Sequence, residues 1–149
     1  MLDRLSLYHL TMIGNETDAM KALSGDVPML ASGCDRRVYL VNNVVYKVCR
    51  MNDDVNAVEY LNILNAPETD IIKFPLAHLY RVANRLVMAM EYIEGQGAFF
   101  DCFCDLNYGE HDCEDSKVIE MLNSIGMRDV HPGNIIVRDN TYYVIDFAE

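Results

Sequence analysis

The chain has 149 residues, a formal net charge of −11 and 51% hydrophobic side chains. Length and composition suit one globular domain, residues 1–149, with a core of its own, and the acidic balance disfavours nucleic acid or an anionic membrane as partner. No apolar run approaches the roughly eighteen residues of a membrane span. The opening Met1-Leu2-Asp3-Arg4-Leu5 also lacks the basic-then-apolar order of a signal peptide, so a cytoplasmic protein is expected.

Residues 1–26 read as a helical extension. Leu2, Leu5, Tyr8 or His9, and Met12 recur at helical spacing, and a second helix is predicted over 16–23. Asn15 or Thr17 would cap that helix and Gly25 would stop it. From Val27 the periodicity shortens. Strands are predicted over 29–32, 38–41 and 44–49, the last two joined by the tight turn Asn42-Asn43. A helix over 53–65 follows, with Val55, Val58, Leu61 and Ile63 or Leu64 as its apolar positions and Pro67 beyond its end. Strands over 76–82 and 85–92, turning at Ala83-Asn84, complete an α+β lobe of five strands and one helix over residues 27–95.

Gly95-Gln96-Gly97 marks a hinge, after which a smaller lobe occupies 96–149. Its first part is acidic: Asp101, Asp105, Glu110, Asp112, Glu114 and Asp115 stand in 101–115 without a Lys or Arg. Such a segment is a solvated loop, a docking surface for a basic protein partner, or a mimic of nucleic-acid charge. Cys102, Cys104, His111 and Cys113 cluster there with zinc-type donors, but single-residue spacing and the interleaved Phe99, Phe100 and Phe103 favour reduced core thiols. With Cys34 and Cys49 they make an odd set of five, so disulfides are not expected. A helix is predicted over 116–125, capped by Asp115 or Ser116 and stopped by Gly126. A hairpin over 135–138 and 142–145, turning at Asp139-Asn140, closes the lobe.

The residues that carry chemistry lie around that hairpin. Arg128-Asp129-Val130-His131-Pro132-Gly133-Asn134 sets an Asp and an Asn five residues apart, and Asp146-Phe147 follows Asn134 by twelve. Asp129 can accept a proton from an attacking hydroxyl, while Asn134 and Asp146 offer oxygen ligands to one divalent ion. Phosphoryl transfer from a nucleotide needs that set. In the third strand Lys47 sits between Tyr46 and Val48, and Glu59 follows twelve residues later within a helix. A carboxylate on a packed helix face requires a partner, and Lys47 is the obvious one.

The order and spacing of these residues resemble the protein-kinase-like superfamily. The compact layout also resembles the short kinase-like proteins of tailed bacteriophages. The resemblance covers roughly residues 28–149 and implies an ATP- and Mg2+-dependent kinase acting on protein Ser/Thr, itself included. It implies Asp129 as base, Asn134 and Asp146 as magnesium ligands, and Lys47, fixed by Glu59, on the nucleotide phosphates. Met90 would be the gatekeeper, the backbone of Glu91 and Ile93 would meet the adenine edge, and Val38 and Val45 would cover the ring. In 31–38 only Gly33 remains of a glycine-rich phosphate loop, with Arg36 or Arg37 available to meet a phosphate or solvent.

Three departures stand out. His131 occupies a position where protein kinases usually carry Lys, which is more like small-molecule kinases; it could touch the transferring phosphoryl group or brace the loop. Met127 replaces the usual His before Arg128-Asp129. The smaller lobe is strongly reduced and ends at Asp146-Phe147-Ala148-Glu149, just after the metal-binding Asp, so dimerisation or a host partner would have to brace it. An inactive kinase-derived protein that binds a basic partner is the competing expectation.

Overall fold

A computed structural model describes residues 13–97, 114–127 and 134–146. The helix expected within 2–12, the acidic and cysteine-bearing segment 98–113, and Asp129 and His131 lie outside the described residues. In chain order the elements are α1 (Glu16–Ser24), β1 (Met29–Ser32), β2 (Arg36–Val41), β3 (Val44–Cys49), α2 (Asp54–Leu64), β4 (Ile72–Lys73), β5 (Ala77–Val82), β6 (Arg85–Glu91), β7 (Gln96–Gly97), α3 (Glu114–Ser124), β8 (Ile135–Arg138) and β9 (Thr141–Val144). The class is α+β, as expected. The described residues fall into two compact units. The first holds 13–65 and Pro75–Tyr92; the second holds Ala66–Phe74 and the described residues from Ile93 onward.

In the first unit five antiparallel strands lie in the order β1-β2-β3-β6-β5. Cross-strand pairs Tyr39↔Tyr46 and Tyr46↔Ala89 place one set of side chains on a common face, and α1 covers it with Ala19 and Ala22. Tyr46 is fully buried there, and its hydroxyl accepts the Asn15 amide at 3.2 Å. Gly14, at φ +77°, makes that approach possible, because a Cβ at this position would strike the Tyr46 hydroxyl. The Tyr80 hydroxyl donates to the Ile13 carbonyl at 2.9 Å. Residues 13–24 are therefore part of the core layer rather than an appended extension. Asn15 is the N-cap of α1, accepting the Asp18 amide at 2.8 Å, and Gly25 ends the helix in the left-handed region at φ +75°.

The opposite face of the sheet carries α2, and there the expected packing is corrected. Val58 and Leu61 are 45% and 56% exposed, while Asn56, Glu59 and Ile63 are buried. The helix turns its polar side inward because partners wait there, as the site shows below. Its start is pinned by Asp53, whose carboxylate takes Arg85 Nε at 3.1 Å and the Leu86 amide at 2.9 Å.

Three two-residue turns, Asn42-Asn43, Ala83-Asn84 and Asp139-Asn140, have both central residues at positive φ. That geometry matches the twist of a tight hairpin, and Asn tolerates it better than most residues. Arg36 and Arg37 extend β2 beyond the expected 38–41 by pairing with Cys49 and Val48.

The second unit holds a four-stranded sheet in the order β4-β9-β8-β7, with β4 parallel to β9. Two features depart from expectation. Ile72–Lys73 forms a strand joined through Tyr142 N to Ile71 O at 2.7 Å, which takes residues 66–74 out of the first lobe. Gln96–Gly97, expected as a bare hinge, pairs with Val137 and Ile136 of β8. Gly95 permits this contact, since a Cβ there would lie 2.6 Å from Ile136 Cγ2 and 2.7 Å from Val137 O. In α3, Asp115 and Ser116 are inside the helix rather than caps, and Val118 and Leu122 are its buried positions. Gly126, at φ +95°, follows it, and Met127 N bonds back to Leu122 O at 3.1 Å.

Burial raises the pKa of Tyr46, Tyr60 and Tyr80 above the ordinary 10.0, and that of the Cys49 thiol above 9.0. A raised pKa for a group buried in its neutral form means the folded state holds its proton longer than the unfolded chain. Their contribution is therefore complete below the unfolded values and is lost as pH rises through the folded ones. The urea midpoint should stay level to about pH 8.5 and fall above about pH 10, less steeply for Tyr46→Phe. A midpoint unchanged at about pH 11 would contradict this burial.

Candidate functional site

On the α2 face of the first sheet, Glu59 is wholly buried and its Oε1 meets two cations, Lys47 Nζ at 2.8 Å and Arg36 Nη1 at 2.7 Å. Lys47 and Arg36 are themselves 5% and 7% exposed. Sheet periodicity delivers them. Lys47 pairs with Val38 across the ladder, and Arg36 stands two residues before Val38, so both cations reach the same face. Asn56, one helical turn before Glu59, braces the group. It accepts from Arg36 Nη1 at 3.2 Å and donates to the Lys47 and Leu86 carbonyls at 2.9 Å each. These bonds tie α2 to β2, β3 and β6 at once, and no buried side-chain polar atom is left without a partner among the described residues.

The Lys47–Glu59 pair thus forms as expected, but Arg36 does not. It is buried rather than solvent-facing, and it is a second cation on Glu59. The available signal was its register: two residues from Val38, it shares the face that carries Lys47. Arg37, on the other side of the strand, is exposed. The cluster joins one guanidinium and one ammonium group to a single shared carboxylate oxygen in a buried setting.

The apolar candidates surround the same face. Val45 pairs with Met90, and Lys47 with Met88; Val45, Met88 and Met90 are buried and Val38 is half-buried. The expected phosphate loop is a tight turn in which the Gly33 amide donates to the Arg36 carbonyl at 2.9 Å. That donor is spent on the turn. Arg50 closes over the same loop, bonding the Gly33 carbonyl at 3.0 Å and the Ser32 hydroxyl. The Glu91 amide is likewise committed, to the Leu76 carbonyl at 3.0 Å, and the Glu91 carboxylate accepts the Leu76 amide at 2.6 Å. Ile93 is buried in the second unit.

In the second unit Asn134 and Asp146 stand at the open end of the β8–β9 hairpin. Ile145 N donates to Asn134 O at 2.9 Å, extending the ladder one rung beyond Ile135↔Val144, and Asp146 follows at once. Asn134 is buried and Asp146 half-buried. An amide oxygen and a carboxylate are hard donors of the kind magnesium takes, and that ion needs only one or two protein ligands because it keeps several waters. The pair fits such an ion by donor chemistry. Among the described residues no group of three or more His, Cys, Asp or Glu is gathered as a metal site, and no helix is long and apolar enough to cross a membrane. No protein-family model matches the chain, and no curated protein matches it.

Proposed function

We propose that the chain is a minimal protein-kinase-like phosphotransferase that uses ATP and magnesium to phosphorylate protein Ser or Thr. The buried ion pair between Lys47 of β3 and Glu59 of α2, at 2.8 Å, carries this proposal. Burying charge is costly, and a pair used only for stability is often replaceable by apolar residues without loss. A lysine held rigidly by a carboxylate beside Val38, Val45 and Met90 has the placement needed to meet nucleotide phosphates next to an apolar surface for a base.

On this proposal Lys47, fixed by Glu59, meets the nucleotide phosphates, with Arg36 adding a second cation to that brace. Asn134 and Asp146 would be oxygen ligands for magnesium, which when bound neutralises phosphate charge. Asp129, read from the sequence, accepts the proton of the attacking hydroxyl. His131, where the chain departs from the protein-kinase pattern, either touches the transferring phosphoryl group or braces the loop.

The direct test is thermal melting of the full chain with and without Mg-ATP. Ligand present at about a hundred times its Kd stabilises the folded state by roughly 2.7 kcal/mol. For a chain of this size that is a rise of about 5–10 °C in Tm. A Tm unmoved by millimolar Mg-ATP defeats the proposal and turns attention to the acidic 101–115 segment as a surface for a basic partner.

A further inference from the structure

A second cluster of cations is separate from the Lys47 site. Where β2 and β6 begin and β3 ends, Leu23, Arg37, Val48, Cys49, Arg50 and Arg85 line a cavity of about 110 Å³. The chain has only 12 Lys and Arg against 23 Asp and Glu, yet three arginines meet at this one hollow. Arg37 pairs with Val48, whose side chain joins the α1-covered core, so this part of the cavity faces away from Lys47.

Two of the guanidiniums are held in place by the fold. Arg85 grips Asp53 at 3.1 Å and gives an Nη2 hydrogen to the Cys49 carbonyl at 2.7 Å. Arg50 is fixed by the Gly33 carbonyl and the Ser32 hydroxyl. A guanidinium has five N–H donors, so each retains donors beyond those bonds. The Arg37 side chain makes no hydrogen bond or ion pair among the described residues and brings its full fork. Among the described residues that line the hollow or bond to its lining, three cations meet the one carboxylate of Asp53, a local excess of two positive charges.

A hollow of this size is far below the several hundred Å³ of pockets that hold drug-sized ligands, so a nucleotide is excluded and one small anion is indicated. Forked donors arriving from three strand ends suit an anion with several oxygens, and a phosphoryl group carries about −1.5 to −2 at neutral pH, which matches the excess. We propose that this cavity binds a single phosphoryl group, either free phosphate or the phosphate of a phosphorylated side chain. The inference is independent of the nucleotide proposal.

The test titrates the full chain calorimetrically with inorganic phosphate, and separately with a phosphoserine peptide and its unphosphorylated form, at constant ionic strength. Saturable binding is expected for phosphate, for the phosphopeptide, or for both, and none for the plain peptide. Arg37→Gln should weaken it about tenfold, the loss of one charge-assisted contact, and Arg50→Gln should do likewise. Arg81→Gln, a change at an exposed arginine outside the cavity, should leave it intact. Because the Arg37 side chain has no partner among the described residues, its variant should melt like the parent, which keeps binding and folding separable. A phosphopeptide tenfold tighter than phosphate assigns the site to a phosphorylated side chain; equal or weaker binding assigns it to the free anion. Absence of saturation with every probe, unchanged affinity in Arg37→Gln, or an equal loss in Arg81→Gln overturns the proposal.

Discussion

Glu59→Ala should be the most damaging single change in the first unit, costing about 3–5 kcal/mol and lowering Tm by roughly 6–20 °C. The reason is the asymmetry of the cluster. Oε1 of Glu59 is the common acceptor for Lys47 at 2.8 Å and Arg36 at 2.7 Å, so its removal takes the shared carboxylate from two buried cations at once. Lys47→Met and Arg36→Met should each cost less, because the remaining cation still neutralises the carboxylate. Replacing all three with apolar residues of similar volume should recover most of the loss, since the desolvation cost disappears together with the attraction. Urea unfolding of the four variants gives the ranking. A Glu59→Ala variant within about 1 kcal/mol of the parent, or a Lys47→Met variant that is worse, would show that the carboxylate is not the hub.

Much of this arrangement was legible in the sequence, and the failures have specific causes. The tight turns were readable because two-residue connections such as Asn42-Asn43 and Asp139-Asn140 demand positive φ, which few residues tolerate. Helix α1 was readable because Asn15 and Gly25 cap it locally. The inward face of α2 was not readable from hydrophobicity. Val58 and Leu61 are apolar yet point outward, while Asn56 and Glu59 are buried beside Ile63. What decides that face is a set of partners 9 to 30 residues away in sequence, Lys47, Arg36 and the Leu86 carbonyl, which local periodicity cannot weigh. The Lys47–Glu59 pair was found because the carboxylate's need for a partner is itself a local argument. Arg36 is not legible in the same way, because a strand predicted from Val38 leaves it in a loop with no defined face, whereas β2 begins at Arg36. Strand β4 escaped for another reason: two residues, Ile72 and Lys73, paired parallel to β9 have no periodicity to detect.

Asp129→Ala should abolish phosphoryl transfer from ATP while leaving the Mg-ATP rise in Tm nearly intact. Removing a general base costs about 10²- to 10⁴-fold in rate, whereas the groups proposed to hold the nucleotide, Lys47 with Glu59 and the metal ligands Asn134 and Asp146, are untouched. Asp146→Asn should behave oppositely in one respect. It keeps an oxygen donor but removes the negative charge, so the magnesium concentration needed for stabilisation should rise and turnover should fall with it. The combination separates three outcomes that activity alone would merge. Loss of transfer with retained nucleotide stabilisation assigns Asp129 to the chemical step. Loss of both in Asp129→Ala makes it a structural residue of its loop. Persistent transfer from labelled ATP in Asp129→Ala removes it from the mechanism, and with it the best sequence argument for a kinase-like reaction.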